Sequence, residues 1–140
     1  MLFRSLAGRP GTGIELVDGL GRASIKVQGA GLGSLEVGRI VITDFVRADG
    51  TEIAVWGADW QRRLNDRAVE YGGRDLRFRV FGGRWRVWIK GVGINASAVG
   101  RGTLALGPYS KRGRSEGTYA IGGDEAVAWP TEWLKVRLVD

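Results

Sequence analysis

Apolar and polar side chains alternate with a period of two along most of the chain, and glycines interrupt the alternation at short intervals. The alternation is clearest across residues 75–90, where the apolar positions are Leu76, Phe78, Val80, Trp85, Val87 and Ile89. This period is typical of β-strands with one buried face. The pattern predicts about ten short antiparallel strands, at 14–18, 22–28, 35–44, 51–56, 75–81, 84–90, 96–106, 117–121, 125–129 and 133–139.

A Gly-Gly pair separates two of these strands. Gly82 and Gly83 lie between 75–81 and 84–90, and because glycine adopts positive φ at little steric cost, they predict a two-residue hairpin. Its register would place five pairs opposite one another: Phe81 and Arg84, Val80 and Trp85, Arg79 and Arg86, Phe78 and Val87, and Arg77 and Trp88. Strands 14–18 and 22–28 are expected to form the equivalent hairpin in the first half.

The first half of the chain matches the second half at an offset of 62 residues. Residues 11–39 align with 73–101, so that glycines and arginines coincide at Gly21/Gly83, Arg22/Arg84, Gly29/Gly91, Gly31/Gly93, Gly38/Gly100 and Arg39/Arg101. The match predicts an internal duplication within one domain, 1–140. Its parts are copy one at about 11–56, a bridge at 57–71, copy two at about 72–130 and a C-terminal strand at 133–139. The alternative is the weak self-match of any glycine-punctuated β chain.

Short strands of this kind must stack or close to hide their apolar faces. A β-sandwich or a closed barrel with pseudo-twofold symmetry is therefore favoured, and a β-solenoid is the alternative. In a sandwich, we expect one core to contain Ile25, Val27, Phe78, Val87 and Ile89.

Two segments lie outside the strand pattern. In the bridge, Trp60, Leu64 and Ala68 recur at helical spacing, which predicts a short helix there. The polar segment 107–117 predicts a surface loop.

The composition excludes several classes of function. The chain has 140 residues, which suits one domain, and includes 24 glycines but no cysteine or histidine. Disulfides, thiolate nucleophiles, Ser-His-Asp catalysis and Cys- or His-based metal sites are therefore impossible. No apolar stretch is long enough to span a membrane as a helix or to form a signal core. No arrangement of residues indicates a cofactor or an enzymatic activity.

The net charge of +6 is concentrated in one stretch. Residues 61–90 carry nine basic and three acidic side chains, while 1–60 has a net charge of −1 and 91–140 of +1. On the predicted hairpin, the polar face presents a basic strip, interleaved with Phe81, that consists of Arg77, Arg79, Arg84, Arg86, Trp88 and Lys90. Guanidinium groups beside an exposed tryptophan suit phosphate backbones and acidic polymers. The strip is therefore the candidate anion-binding or partner-binding site.

The predicted register adds a physical argument for that site. Arg79 directly opposite Arg86 would be an unfavourable like-charge pair unless an acid or an external anion lies between them. The alternative is that these arginines are merely solvated, with Arg77 in a cation–π contact with Trp88.

The six tryptophans are a second source of binding chemistry. Large aromatic side chains are usually core residues, and we expect Trp85 and Trp129 to be buried. If they were exposed, the pairs Trp56/Trp60, Trp85/Trp88 and Trp129/Trp133 would form a platform for sugar rings.

One segment carries a resemblance to known proteins. The stretch YGGRDLRFRVFGGRWRVWIKGVGINASAVGRGTLAL (71–106), followed by GTYAIGGDEAVAWP, contains the pattern Arg-Phe-Arg, Gly-Gly-Arg, Gly-x-Gly-Ile and Ser-Ala-Val-Gly-Arg-Gly. Over about half the chain it resembles a group of uncharacterised bacterial β-rich proteins. Members look like extracytoplasmic domains that follow a single membrane anchor, so the resemblance implies a location at the cell envelope and no catalytic residue. The anchor itself is not expected in this sequence.

The sequence therefore predicts a non-enzymatic β domain with a structural or binding role, which the resemblance places at the cell envelope. The alternative is a module that binds nucleic acid or another polyanion through the strand face 77–90. The partners that fit are an acidic polymer, a nucleic acid or a protein. Exposed edge strands would also allow a homodimer.

Overall fold

A computed structural model describes residues 2–3, 13–45 and 50–138. This part of the chain contains eight strands: β1 (Leu2–Phe3), β2 (Gly13–Asp44), β3 (Glu52–Trp56), β4 (Trp60–Arg63), β5 (Ala68–Gly107), β6 (Glu116–Ile121), β7 (Val127–Ala128) and β8 (Leu134–Leu138). They form one sheet in the order β1-β8-β5-β2-β6-β7, and β3 and β4 also pair with β5. All pairs are antiparallel except β1 with β8.

The two long strands, β2 and β5, bend repeatedly, so the sheet folds over itself into two layers. Segment 22–28 of β2 lies between two segments of β5, 84–90 and 101–107. The next segment, 30–35, lies between a different two, 76–81 and 95–99. The first layer contains, in order, β3, 76–81, 30–35, 94–99, 13–17, β6 and β7. The second layer contains β4, 68–74, 37–44, 84–91, 22–28, 101–107, β8 and β1.

Paired glycines stand where the long strands cross between layers. Gly29 pairs with Gly100, and Gly38 pairs with Gly91. A Cβ atom at Gly29 would lie 2.9 Å from the Cα of Gly100, and one at Gly38 would lie 2.8 Å from the Cα of Gly91. β2 and β5 can approach each other this closely only because both residues of each pair are glycines without a side chain. These crossings, and not only tight turns, explain the regular glycine punctuation of the sequence.

The inner faces of the two layers enclose one hydrophobic core. It contains the five residues that were predicted to meet there, Ile25, Val27, Phe78, Val87 and Ile89, each at most 3% exposed. Trp85 and Trp129 are also buried, as predicted. The Trp85 ring lies against Gly31 of the opposite layer, and its Nε1 donates a hydrogen bond of 3.0 Å to the Gly29 carbonyl. This indole therefore joins the two layers.

The predicted hairpin between 75–81 and 84–90 is wrong. Residues 76–81 pair with β3 and 30–35, whereas 84–90 pair with 22–28 and 37–44. Gly82 and Gly83 do have positive φ, 80° and 68°, but they carry the chain from the first layer to the second. The equivalent hairpin in the first half is wrong for the same reason, because 13–16 pairs with 96–99 and with β6.

The predicted helix in the bridge is also wrong. Residues 60–63 form β4, and β5 begins at Ala68. A helix in a protein is stabilised mainly by the packing of one apolar face. Trp60 and Leu64 are 46% and 45% exposed, so they do not form such a buried face. Instead, the Trp60 ring lies against Gly72, its cross-strand partner. The polar segment 107–117 contains the predicted loop, at 108–115.

The all-β prediction is confirmed, and the architecture is sandwich-like. The described sheet has free edges, so it is not a closed barrel, and its antiparallel pairs between distant segments are not those of a solenoid. The strands are fewer and longer than predicted, because β2 and β5 have 32 and 40 residues. The register of β2 with β5 is symmetric under the offset of 62. Ile25 pairs with Val87, which lies 62 residues later in the chain. Ala23 pairs with Ile89, and the residues that match these two at the same offset, Trp85 and Val27, also pair with each other.

Candidate functional site

The outer face of the second layer is rich in cations. Alternate residues of its strands point into the core, and those between them point away from it. The outward positions include Arg22, Lys26, Arg39, Arg84, Arg86, Lys90, Arg101, Lys135 and Arg137, which we call the basic face. Both halves of the chain therefore contribute to one surface.

The strand register places these cations side by side. Lys90 lies between Arg39 and Arg22 on the two neighbouring strands, and Arg86 lies directly opposite Lys26. Like charges directly opposite one another destabilise a sheet. The basic face thus contains three unfavourable cross-strand pairs.

One acid, Glu70, neutralises charge only at one edge of the basic face. Glu70 is 4% exposed, and its Oε1 lies 2.6 Å from Nη2 of Arg62, while its Oε2 lies 3.7 Å from Nη1 of Arg39. Lys26 and Arg86, at the centre, form no ion pair within the described part of the chain. No acid in the described part of the chain therefore neutralises the positive charges of Lys26 and Arg86.

Aromatic rings hold several of the cations in place. The five cation–π contacts among the described residues all involve this face: Arg22 over Trp133 (4.8 Å), Lys26 and Arg86 over Phe45 (5.0 and 5.6 Å), Arg39 over Trp88 (5.4 Å) and Lys90 over Tyr109 (4.7 Å). At exposed sites such contacts contribute about 0.5–1 kcal/mol each, which offsets part of the repulsion. The predicted contact of Arg77 with Trp88 is wrong, because Arg39 occupies that place.

The centre of the basic face is concave. Among the described residues that line an open depression of about 860 Å³ there are five cations and no carboxylate; the cations are Lys26, Arg84, Arg86, Arg101 and Lys135. Phe45, Gln28 and Thr103 also line it. We call this depression the basic groove. A concave surface lined by one sign of charge focuses the electric field and concentrates counter-ions.

Arg86 is the most constrained cation of the basic groove. It lies between Lys26 and Thr43 on the neighbouring strands, and its guanidinium sits over Phe45. Its Nε is shielded from solvent and has no hydrogen-bond partner within the described residues. A buried donor without an acceptor costs about 1–3 kcal/mol. The groove therefore contains a guanidinium with one unsatisfied donor, Nε, and no ion-pair partner among the described residues.

The structure divides the predicted basic strip between two opposite faces. Four of its six residues share the basic face: Arg84, Arg86, Trp88 and Lys90. The other two, Arg77 and Arg79, lie on the outer face of the first layer, where Ala54 and Leu32 flank Arg79. The predicted pair of Arg79 with Arg86 is therefore wrong, and the cation that lies opposite Arg86 is Lys26.

Sequence reasoning missed several residues of the groove, namely Lys26, Phe45, Arg101 and Lys135. A signal for one of them, Arg101, was present in the sequence, because arginine recurs at the offset of 62, at Arg22/Arg84 and at Arg39/Arg101. If the two copies interleave, their outward positions share a face.

Two of the three tryptophan pairs do not form a platform for sugar rings. In two of the three pairs one ring is buried, Trp85 in one and Trp129 in the other. Trp56 and Trp60 are both exposed, but they belong to strands of different layers.

Two tyrosines with perturbed pKa values lie away from the basic face. Burial raises the pKa of Tyr71 above its ordinary value of 10.0, which the charge of Arg63 partly opposes, and burial raises the pKa of Tyr119 as well. Tyr119 belongs to the core and Tyr71 packs against it. Both therefore stay neutral at physiological pH and add no charge to the basic face.

Comparison with protein-family models found no match, and comparisons with curated proteins and with solved structures likewise found none. The described residues contain no cluster of three or more acidic side chains arranged to hold a metal ion. Among the same residues there is no helix of the length and apolar character needed to cross a membrane.

Proposed function

We propose that the chain is a non-enzymatic binding domain whose basic face holds an extended polyanion. One observation carries the proposal: cations lie directly opposite cations, Lys26 against Arg86 and Lys90 against both Arg22 and Arg39. A sheet gains nothing from this arrangement on its own, since each such pair is repulsive. A bound anion would convert the repulsion into attraction to a shared partner.

The spacing of the cations suits a flexible chain of charges. Adjacent strands lie about 4.8 Å apart, and successive residues on one face of a strand lie about 6.8 Å apart. The cations therefore form a grid dense enough to contact several successive phosphate or sulfate groups at once. Such contacts release condensed counter-ions, which supplies most of the affinity for nucleic acid bound without regard to sequence.

The ligand chemistry is a flexible polymer with closely spaced phosphate or sulfate groups. Single-stranded nucleic acid and acidic glycan both fit it. The cell-envelope location that the resemblance implies would favour the glycan. Competition between oligo-dT, polyphosphate and heparin separates the sources, because the preferred polymer displaces the others.

A salt titration tests the proposal. Binding of fluorescein-labelled oligo-dT of about 20 nucleotides is measured by fluorescence anisotropy between roughly 50 and 200 mM NaCl. For single strands, log K falls with log[salt] with a slope of about −0.7 per phosphate contacted. Engagement of the five cations of the basic groove predicts a slope of about −3.5.

Two results of this titration would contradict the proposal. One is a slope shallower than about −1, which corresponds to fewer than two phosphate contacts. The other is the absence of binding of all three polymers at the lowest salt concentration.

We also propose that the chain arose by duplication, with the two copies interleaved. The support is the register, in which Ile25 pairs with Val87 and the equivalent pairs exchange under the offset of 62. Interleaving brings the outward residues of both copies onto the basic face, for example Arg22 beside Lys90.

A further inference from the structure

The outer face of the first layer exposes large apolar side chains. Phe81, Leu32 and Val99 are 60%, 55% and 49% exposed. The strand register arranges this surface, which we call the apolar face, in two adjacent rows across four strands. One row is Phe81, Ala30, Val99 and Gly13, and the next is Arg79, Leu32, Ser97 and Glu15.

We propose that the apolar face pairs with the same face of a second copy of the chain. The twofold axis would run along the strands, between 30–35 and 94–99. Rotation about this axis places the first residue of each row opposite the last residue of the same row in the second copy. The second and third residues of each row are likewise brought together.

The rows are self-complementary in size under that rotation. Leu32 meets Ser97 of the second copy, and Val99 meets its Ala30. Phe81 meets Gly13 of the second copy. Each exposed apolar side chain thus faces a small residue. Two of the three receiving residues line depressions of the single chain: Ser97 lines open hollows of about 340 and 180 Å³, and Ala30 lines the smaller of them.

The second row is also self-complementary in charge. Arg79 stands at one end and Glu15 at the other, so the rotation brings each Arg79 opposite Glu15 of the second copy. Neither residue forms an ion pair within the described part of the chain. A symmetric dimer would therefore gain two ion pairs that flank an apolar centre, which is the arrangement of a specific protein interface.

The size of the face sets the expected affinity. Together with the flanking strands β3 and β6, the four strands of the apolar face make six, which lie about 4.8 Å apart with about five residues each and span roughly 24 by 17 Å. This is small for a protein interface, so we expect a reversible dimer with a dissociation constant in the micromolar range. Pairing through edge strands would leave the apolar face exposed and does not use Arg79 or Glu15.

Sedimentation velocity at protein concentrations from about 1 to 200 µM tests the proposal. The wild type is expected to shift from monomer to dimer over this range. Leu32→Glu is expected to weaken association at least tenfold without changing the melting temperature, because the side chain is on the surface. Arg79→Glu and Glu15→Arg are each expected to weaken association. The double variant Arg79→Glu/Glu15→Arg is expected to restore it, since the two charges exchange places.

Three outcomes would overturn the proposal. If the chain stays monomeric throughout the concentration range, the apolar face does not pair with a second copy and would have to bind a different partner. A dimer that persists in Leu32→Glu pairs through another surface, such as an edge strand. A double variant that associates no better than Arg79→Glu alone shows that Arg79 and Glu15 do not meet. The double variant also controls for loss of folding, because restoration requires a folded protein.

Discussion

Replacing Lys26 and Arg86 together by glutamate is expected to weaken binding of oligo-dT by about 100-fold or more at about 0.1 M NaCl. The change removes two central cations of the basic groove and puts two charges there that repel the ligand. The slope of the salt dependence should become shallower at the same time, because fewer counter-ions are released. The measurement is fluorescence anisotropy with the labelled oligonucleotide.

A matched control uses the same change of net charge on the other side of the sandwich. Arg77→Glu with Arg79→Glu also lowers the net charge by four relative to the wild type, but both residues lie on the outer face of the first layer. We expect this variant to bind within about threefold of the wild type, because ionic screening weakens interactions over more than about 10 Å. Equal losses in the two variants would mean that net charge, and not the basic face, determines binding.

Trp85→Ala is expected to lower the free energy of unfolding by about 3–5 kcal/mol. Trp85 is 0% exposed, its ring fills the space above Gly31, and its Nε1 satisfies the Gly29 carbonyl. The variant therefore has a cavity between the layers and a backbone acceptor without its donor. Urea denaturation followed by far-UV circular dichroism measures the effect.

Trp56→Ala is the control for this second variant. Its ring is 52% exposed, so the free energy of unfolding should change by only about 0.5 kcal/mol. A loss from Trp85→Ala no larger than that from Trp56→Ala would contradict a core in which one indole joins the two layers.

Burial could be predicted from the sequence because alternation is a local property. Phe78 and Val87 are buried whichever strands flank them, since successive side chains of a strand point to opposite sides. The partners of a strand are decided elsewhere in the chain. Gly82 and Gly83 have the positive φ of a hairpin turn, yet the same conformation carries the chain from one layer to the other. A Gly-Gly pair therefore locates a change of direction and does not identify the next neighbour.

The candidate site shows the same limit. The prediction grouped Arg79 with Arg86 because they are close in sequence, and the layer crossing separates them. Lys26 was assigned to a different hairpin, yet it lies directly opposite Arg86. The like charges that face each other across strands belong to Lys26 and Arg86 and not to Arg79 and Arg86. Only the long-range register brings Lys26 and Arg86 together.

The most direct test of the central claim is a backbone amide chemical-shift map of the ¹⁵N-labelled protein titrated with unlabelled oligo-dT or heparin. We expect the shifted resonances to cluster in 22–28, 39–45, 84–90 and 101–106, which are four of the segments that carry the basic face and its groove. Resonances of 30–34, 77–81 and 95–99 should stay in place. Shifts concentrated in these last three segments, with the first four unchanged, would contradict the assignment of the polyanion to the basic face.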